Sequence, residues 1–313
     1  MIGMGDIGDF EKAAFALPEP DGEILRLMTD FTEYCDTLVT EEDNAANVYE
    51  NWIARKSDTL SGLTPFEFIK SYACGGTSGA PVFERYEKLV LCMLSRGVYS
   101  LPDEVLDDFF AACENPDDWR EDITRKCLAN LGGEDRDLAE SCFMLLYKLS
   151  EIPGGFGDNL YDDFIDTANA LMDKNEDYAS DLLTTAVAFC ENGFEKTVET
   201  LAEKVAAKAG LGPVETKLLA VLCINGKRDE RLYTMLRSLV KTTDIFDSEL
   251  EFYFELVKDY GDPRAVTFLR TKVNQMREAY MTLNADDKAA KVLFENAYRG
   301  DSVIKYLGGA GLF

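Results

Sequence analysis

The sequence predicts an all-α protein built of stacked helical hairpins, and three observations carry that prediction. Apolar residues recur at three- and four-residue spacing along nearly the whole chain, with no convincing run of period-two alternation. Helix starts are marked by capping side chains and prolines. Two-helix units repeat at offsets of 33 and 34 residues near the C-terminal end.

The helices follow in order. Ile24, Leu27, Met28, Phe31, Tyr34, Cys35 and Leu38 share one face of a first helix. Thr64-Pro65-Phe66-Glu67 supplies an N-cap hydroxyl, a proline at the first helical position and a glutamate three residues after the cap. Phe83, Tyr86, Leu89, Val90, Met93 and Leu94 form another face, and Val105, Leu106, Phe109 and Phe110 a third, the latter behind Pro102. Asn115-Pro116-Asp117-Asp118 and Gly261-Asp262-Pro263-Arg264 repeat the capping device, which satisfies orphan N–H groups and sets negative charge at the positive end of the helix dipole. Phe143–Ile152 and Asn159–Leu171 make a further helix pair.

The repeat is explicit farther on. Asp229–Arg237 (DERLYTMLR) aligns without gaps on Asp262–Arg270 (DPRAVTFLR), with Asp, Arg, Thr, Leu and Arg in common at an offset of 33. The helix upstream, Glu215–Ile224, aligns on Glu249–Lys258 at an offset of 34, so each unit is two helices. A fainter copy in Phe189–Val205 places Val198, Leu201 and Val205 34 residues before Leu232, Met235 and Leu239. Such pairs bury their apolar faces only by stacking on neighbours. The sequence therefore divides into an irregular helical portion over 1–135, continuous with repeats over 136–313. The final stretch, SVIKYLGGAGLF, reads as a helix, a glycine stop and an apolar tail in which Leu312 and Phe313 cap the stack.

Tyr260–Arg270 (YGDPRAVTFLR) resembles HEAT repeats, in particular the phycobilisome-lyase HEAT-like variety, in which a Gly-Asp-Pro-Arg-Ala-Val turn begins the second helix of each pair. The likeness is strong for this repeat, partial for 215–241, weak for 138–208 and does not extend over 1–135. The Trp-Leu-Gly-Tyr pattern of tetratricopeptide repeats is not found. The resemblance implies a right-handed superhelix of HEAT-like helical hairpins, serving as a binding scaffold whose second helices line a concave face.

Enzymatic readings fail on residue types. Gly76-Thr77-Ser78-Gly79-Ala80-Pro81 fits the nucleophile loop of a chymotrypsin-like protease, but that loop needs a histidine base and the chain has no histidine. The loop reads instead as a glycine-rich joint, with Pro81 setting the next helix start. Asp173–Thr184 opens like a calcium loop, yet Tyr178 stands where the turn needs glycine and Thr184 where a bidentate glutamate is needed. It reads as a joint with Asp177 at a cap. The acidic groups Asp162, Asp163, Asp166 and Asp117, Asp118, Asp122 read as dipole compensation and solvated surface. No catalytic residue, metal site or cofactor is expected, and the chain is not read as an enzyme.

Eight cysteines, without a Cys-x-x-Cys, sit mostly in apolar helical patterns, as reduced thiols in a cytosol do. The N-terminus lacks a basic region followed by an apolar run, and no apolar stretch approaches membrane-spanning length, so a soluble cytoplasmic protein with no membrane partner is expected. Net charge is −26, and it is uneven. Residues 1–210 carry 43 acidic and 17 basic side chains; 211–313 carry 15 of each. Such a surface repels phosphate backbones.

Arg231 and Arg264 are equivalent in neighbouring repeats, as are Arg237 and Arg270. One reading makes these four a cationic stripe for a protein partner bearing carboxylates or phosphates. The other has Asp229 and Asp262 pair with arginines of adjacent repeats and stiffen the stack. The expected function is a non-enzymatic protein–protein interaction scaffold. The alternative is a nucleic-acid-binding module similar to HEAT-like DNA alkylation-repair glycosylases, which the overall charge disfavours; a bilin lyase rests on repeat resemblance alone. For Ser78 the expected outcome is no labelling by a fluorophosphonate probe in the folded protein. Stoichiometric labelling would show it to be a nucleophile.

Overall fold

In the computed structural model, the described residues are 16–37, 45–75, 82–96, 101, 103–152, 154–283 and 288–310. Leu38, the Gly76–Pro81 loop with Ser78, Pro102, Leu312 and Phe313 lie outside them. All regular structure among the described residues is helical, in fifteen α-helices and two short 3-10 turns. None of these helices is long and apolar enough to cross a membrane. The chain falls into two compact units, residues 1–157 and 158–313.

The first unit holds α1 (Gly22–Asp36), α2 (Ala45–Ala54), α3 (Pro65–Ala73), α4 (Phe83–Ser95), α5 (Asp103–Ala112), α6 (Pro116–Asn130) and α7 (Arg136–Glu151). Contacts are sequential at first, α1 on α2 and α3, α3 on α4, α4 on α5; then α7 packs on both α6 and α4. Thr64 closes the expected capping box, accepting from Glu67 N at 3.1 Å while its own N–H donates to the Glu67 carboxylate at 2.9 Å. Asn115 departs from expectation. Its side chain makes no cap bond to the first turn of α6.

The α1 face carries a surprise. Ile24 and Leu27 are buried, as their spacing predicts, and so is Asp30. A buried carboxylate is tolerable only when its lone pairs are filled. Trp52 Nε1 donates to Asp30 at 2.8 Å, the Ser57 hydroxyl donates to its other oxygen, and the Arg55 guanidinium stands 3.7 Å away over the Tyr34 ring. One acid thus ties α1 to α2 and to the loop that follows α2.

The second unit holds α8 (Tyr161–Leu171), α9 (Glu176–Phe189), α10 (Gly193–Ala206), α11 (Pro213–Ile224), α12 (Glu230–Thr242), α13 (Glu249–Tyr260), α14 (Val266–Tyr280) and α15 (Lys288–Tyr306). The odd-numbered helices α9, α11, α13 and α15 pack in a row, each on the next, and α10, α12 and α14 do the same beside them. The four helices predicted from the offsets are α11, α12, α13 and α14, and the two units stand side by side, α11 on α13 and α12 on α14. Each turn between first and second helix needs a left-handed residue: Asn192 (φ 56°), Gly226 (φ 75°) and Gly261 (φ 67°). Gly193, at the start of α10, answers a different demand. A Cβ there would lie 1.9 Å from the Ala186 carbonyl oxygen of α9.

Val198, Leu201, Leu232, Met235, Leu236 and Leu269 are all buried, whereas the last pair of repeated positions, Val205 and Leu239, is half-buried. Two buried polar groups fasten the connection after α12. Lys272 of α14 donates its ammonium to the carbonyls of Thr243, at 2.5 Å, and Lys241, capping the negative end of α12. Asn296 of α15 donates to the carbonyls of Ile245 and Asp247 at 3.3 and 3.1 Å. Leu236→Ala or Leu269→Ala should lower stability by about 2–5 kcal/mol, the cost of emptying a packed leucine site. Chemical denaturation reads this directly; an unchanged midpoint would place the stacking core on another face.

Candidate functional site along the second-helix edge

The first turns of α10, α12 and α14 begin the second helices of successive hairpins. Their orphan N–H groups and dipoles favour anions, and the chain supplies its own. Asp229 caps α12, accepting from Arg231 N at 2.8 Å. Asp262 accepts from Arg264 N at 2.9 Å and opens the 3-10 turn Pro263–Ala265 that leads into α14. Each aspartate then holds the guanidinium of the arginine whose amide it caps, Arg231–Asp229 and Arg264–Asp262 both at 2.7 Å.

The outer edge of each guanidinium reaches back one repeat. Arg231 pairs with Glu195 of α10 at 2.5 Å, and Arg264 pairs with Glu230 of α12 at 2.9 Å. Lys196 of α10 also reaches back along the chain, donating to the Asp158 carbonyl and pairing with its carboxylate, both at 3.0 Å. Aromatic rings back the cations. Lys227 sits 4.2 Å over Phe194, Arg264 4.2 Å over Tyr233 and Arg228 4.8 Å over Tyr260. The Tyr260 hydroxyl donates to the Asp229 carbonyl at 3.0 Å, crossing from α13 to the cap of α12.

The expected pairing of Asp229 and Asp262 with arginines of adjacent repeats is therefore not what forms. An N-cap carboxylate lies over the first-turn amides, so it meets the side chain two residues on. Glu195 and Glu230, not the capping aspartates, make the ion pairs that join Arg231 and Arg264 to the preceding repeat. Sequence reasoning missed Glu195 and Glu230, although a glutamate in the first turn of α10 and of α12, at an offset of 35, was a usable signal.

The four singled-out arginines have three surroundings. Arg231 and Arg264 belong to the ladder. Arg270 is half-buried and donates to the Ala310 carbonyl at 3.1 Å, holding the turn after α15. Arg237 is exposed and makes no ion pair among the described residues.

Hydrogen bonding from Arg231 and Arg264 holds the carboxyls of Asp229 and Asp262 below the usual carboxylate range, against a smaller opposing effect of burial. The other candidate segments lie on helices. Asp173–Thr184 is mostly helix: Asn175, not Asp177, caps α9, accepting from Tyr178 N at 3.2 Å. Among the described residues no three His, Cys, Asp or Glu side chains gather as a metal site. Cys92, Cys127, Cys142, Cys190 and Cys223 are buried, and burial pushes the thiols of Cys190 and Cys223 up to about 12, so both are protonated at neutral pH. Asp162 and Asp163, like Asp117 and Asp118, fall in the first turns of their helices, where the dipole explains them. No protein-family model matches the chain, and no curated protein matches it.

The lowered carboxyls link the ladder to pH. Folded Asp229 and Asp262 titrate below the ordinary value of 3.8. Their contribution is complete above that value and is lost as pH falls through the folded pKa. Asp229→Asn with Asp262→Asn keeps the cap acceptors and removes the charges. The double variant should lose about 0–1 kcal/mol per site at neutral pH, since the guanidiniums are half in water, and its stability should fall less steeply with acid than the wild type's. Urea titrations from neutral pH to the acid limb test both; parallel acid limbs would remove these aspartates from the linkage.

Proposed function

We propose that the chain is a non-enzymatic protein-interaction scaffold built of HEAT-like helical hairpins and working in the reducing cytoplasm. The observation that carries this reading is the neutralised edge. Arg231 and Arg264, the cations best placed to line a phosphate groove, are each held by two carboxylates of the chain itself. A nucleic-acid groove needs cations in excess, and the net charge of −26 opposes one further. The Gly261–Val266 turn and the regular packing of α9 to α15 support the HEAT-like assignment. The eight free cysteines fit a reducing compartment. Arg237, exposed and unpaired among the described residues, is the remaining cation of the stripe for an acidic patch on a protein partner.

Fluorescence anisotropy with labelled duplex and single-stranded DNA near physiological salt separates scaffold from nucleic-acid binder. The expected result is no saturable binding. Micromolar or tighter binding, lost in Arg264→Ala and Arg270→Ala without unfolding, and weakening with salt by about 0.9 log units per log unit for each phosphate contact, would replace the scaffold with the nucleic-acid reading.

A further inference from the structure

Within the first unit, α6 and α7 are joined by the turn over 131–135 and pack on one another. Ile123, Thr124, Cys127 and Leu128 are buried on α6, and Ala139, Cys142, Leu145 and Leu146 on α7. A cysteine thus stands on the buried face of each helix, and both are 0% exposed. Their thiols hydrogen-bond one another across the hairpin. The buried Cys92, by contrast, donates to the Pro18 carbonyl at 3.1 Å.

That contact makes the two sulfurs unequal. The hydrogen bond from Cys127 favours the thiolate of Cys142, against burial, and the same bond together with burial holds the proton on Cys127. One sulfur is thereby prepared to attack while its neighbour keeps an S–H in reserve, the division of labour of a dithiol redox pair. Thr124 lies one turn before Cys127 on the same face of α6. Its hydroxyl is buried with no hydrogen-bond partner among the described residues. An unpaired buried hydroxyl is costly, and here it is a donor on the face where charge forms on sulfur.

We infer that Cys127 and Cys142 are a redox site that a hydroperoxide closes to a disulfide. The Cys142 thiolate attacks one peroxide oxygen, the O–O bond breaks, and the other oxygen leaves with the electron pair, taking up a proton. Cys142 is then a sulfenic acid. The Cys127 sulfur attacks it, the S–O bond breaks and the S–S bond forms. With hydrogen peroxide the two thiols lose two electrons and two protons, and the peroxide leaves as two molecules of water. Both sulfurs are wholly buried, so the oxidant has to be small, and the sulfenic acid meets its partner thiol first. The site is independent of the scaffold function; in a reducing compartment the pair rests as thiols and the disulfide is transient.

Hydrogen peroxide added to the reduced full chain in native buffer tests this. The intact mass should fall by two hydrogens. Peptide mapping without reduction should find Cys127 joined to Cys142, and dithiothreitol should restore both thiols. Cys127→Ala and Cys142→Ala should each lose the link, whereas Cys113→Ala, at a half-buried cysteine, should keep it. Where circular dichroism shows that an alanine variant has not folded, the linkage map of the wild type decides alone. A folded chain in which Cys127 and Cys142 both stay thiols under excess peroxide overturns the inference. So does a disulfide that joins either of them to another cysteine, or oxidation that runs on to a sulfinic acid with no link.

Discussion

A hairpin of two helices has more apolar surface than it can hide against itself. The second unit depends on that constraint throughout. Leu232, Leu236 and Leu269 are buried because α12 and α14 lie against one another and against the first helices beside them. Close approach then dictates the joints. Asn192, Gly226 and Gly261 adopt left-handed backbone to reverse the chain in few residues, and Gly193 is glycine because α10 starts against the last turn of α9.

The ladder of carboxylates and cations works on a smaller scale. Half-exposed ion pairs contribute about 0–1 kcal/mol each, while one core leucine contributes about 2–5 kcal/mol. Packing therefore holds the hairpins together, and the rungs at Glu195–Arg231 and Glu230–Arg264 favour one register along the edge. The same rungs use up the charge that would otherwise recommend this edge to an anionic ligand. The buried caps from Lys272 and Asn296 do comparable work on the connection after α12, where a free helix end would leave carbonyls unsatisfied.

Much of this was legible in the sequence, for a physical reason. Repeats written as Asp-x-Arg with Thr, Leu and Arg following expose both the hairpin and its period, because each repeat solves the same packing problem with the same residues. The face through Leu236 and Leu269 came from helical spacing alone and is core. What stayed hidden depends on distance in the chain. Glu195 and Glu230 meet arginines 36 and 34 positions on, and only the stacking brings them together. Asp30 could not be read as buried, since its partners Trp52 and Ser57 arrive from α2 and beyond. Asn115 has the composition of a cap and makes no cap bond. Gly76–Pro81 carries a protease-like motif by composition, but the chain has no histidine to supply the base which that motif uses.

Amide hydrogen exchange on Leu269→Ala beside the wild type tests the nearest-neighbour stack most directly. If the hairpins are held by their neighbours, the loss of protection is greatest in α14, extends to α12, α13 and α15, and fades toward α8 and α9. Equal loss across α8 to α15, or loss confined to α14 with α12 untouched, would contradict a stack built from neighbour to neighbour.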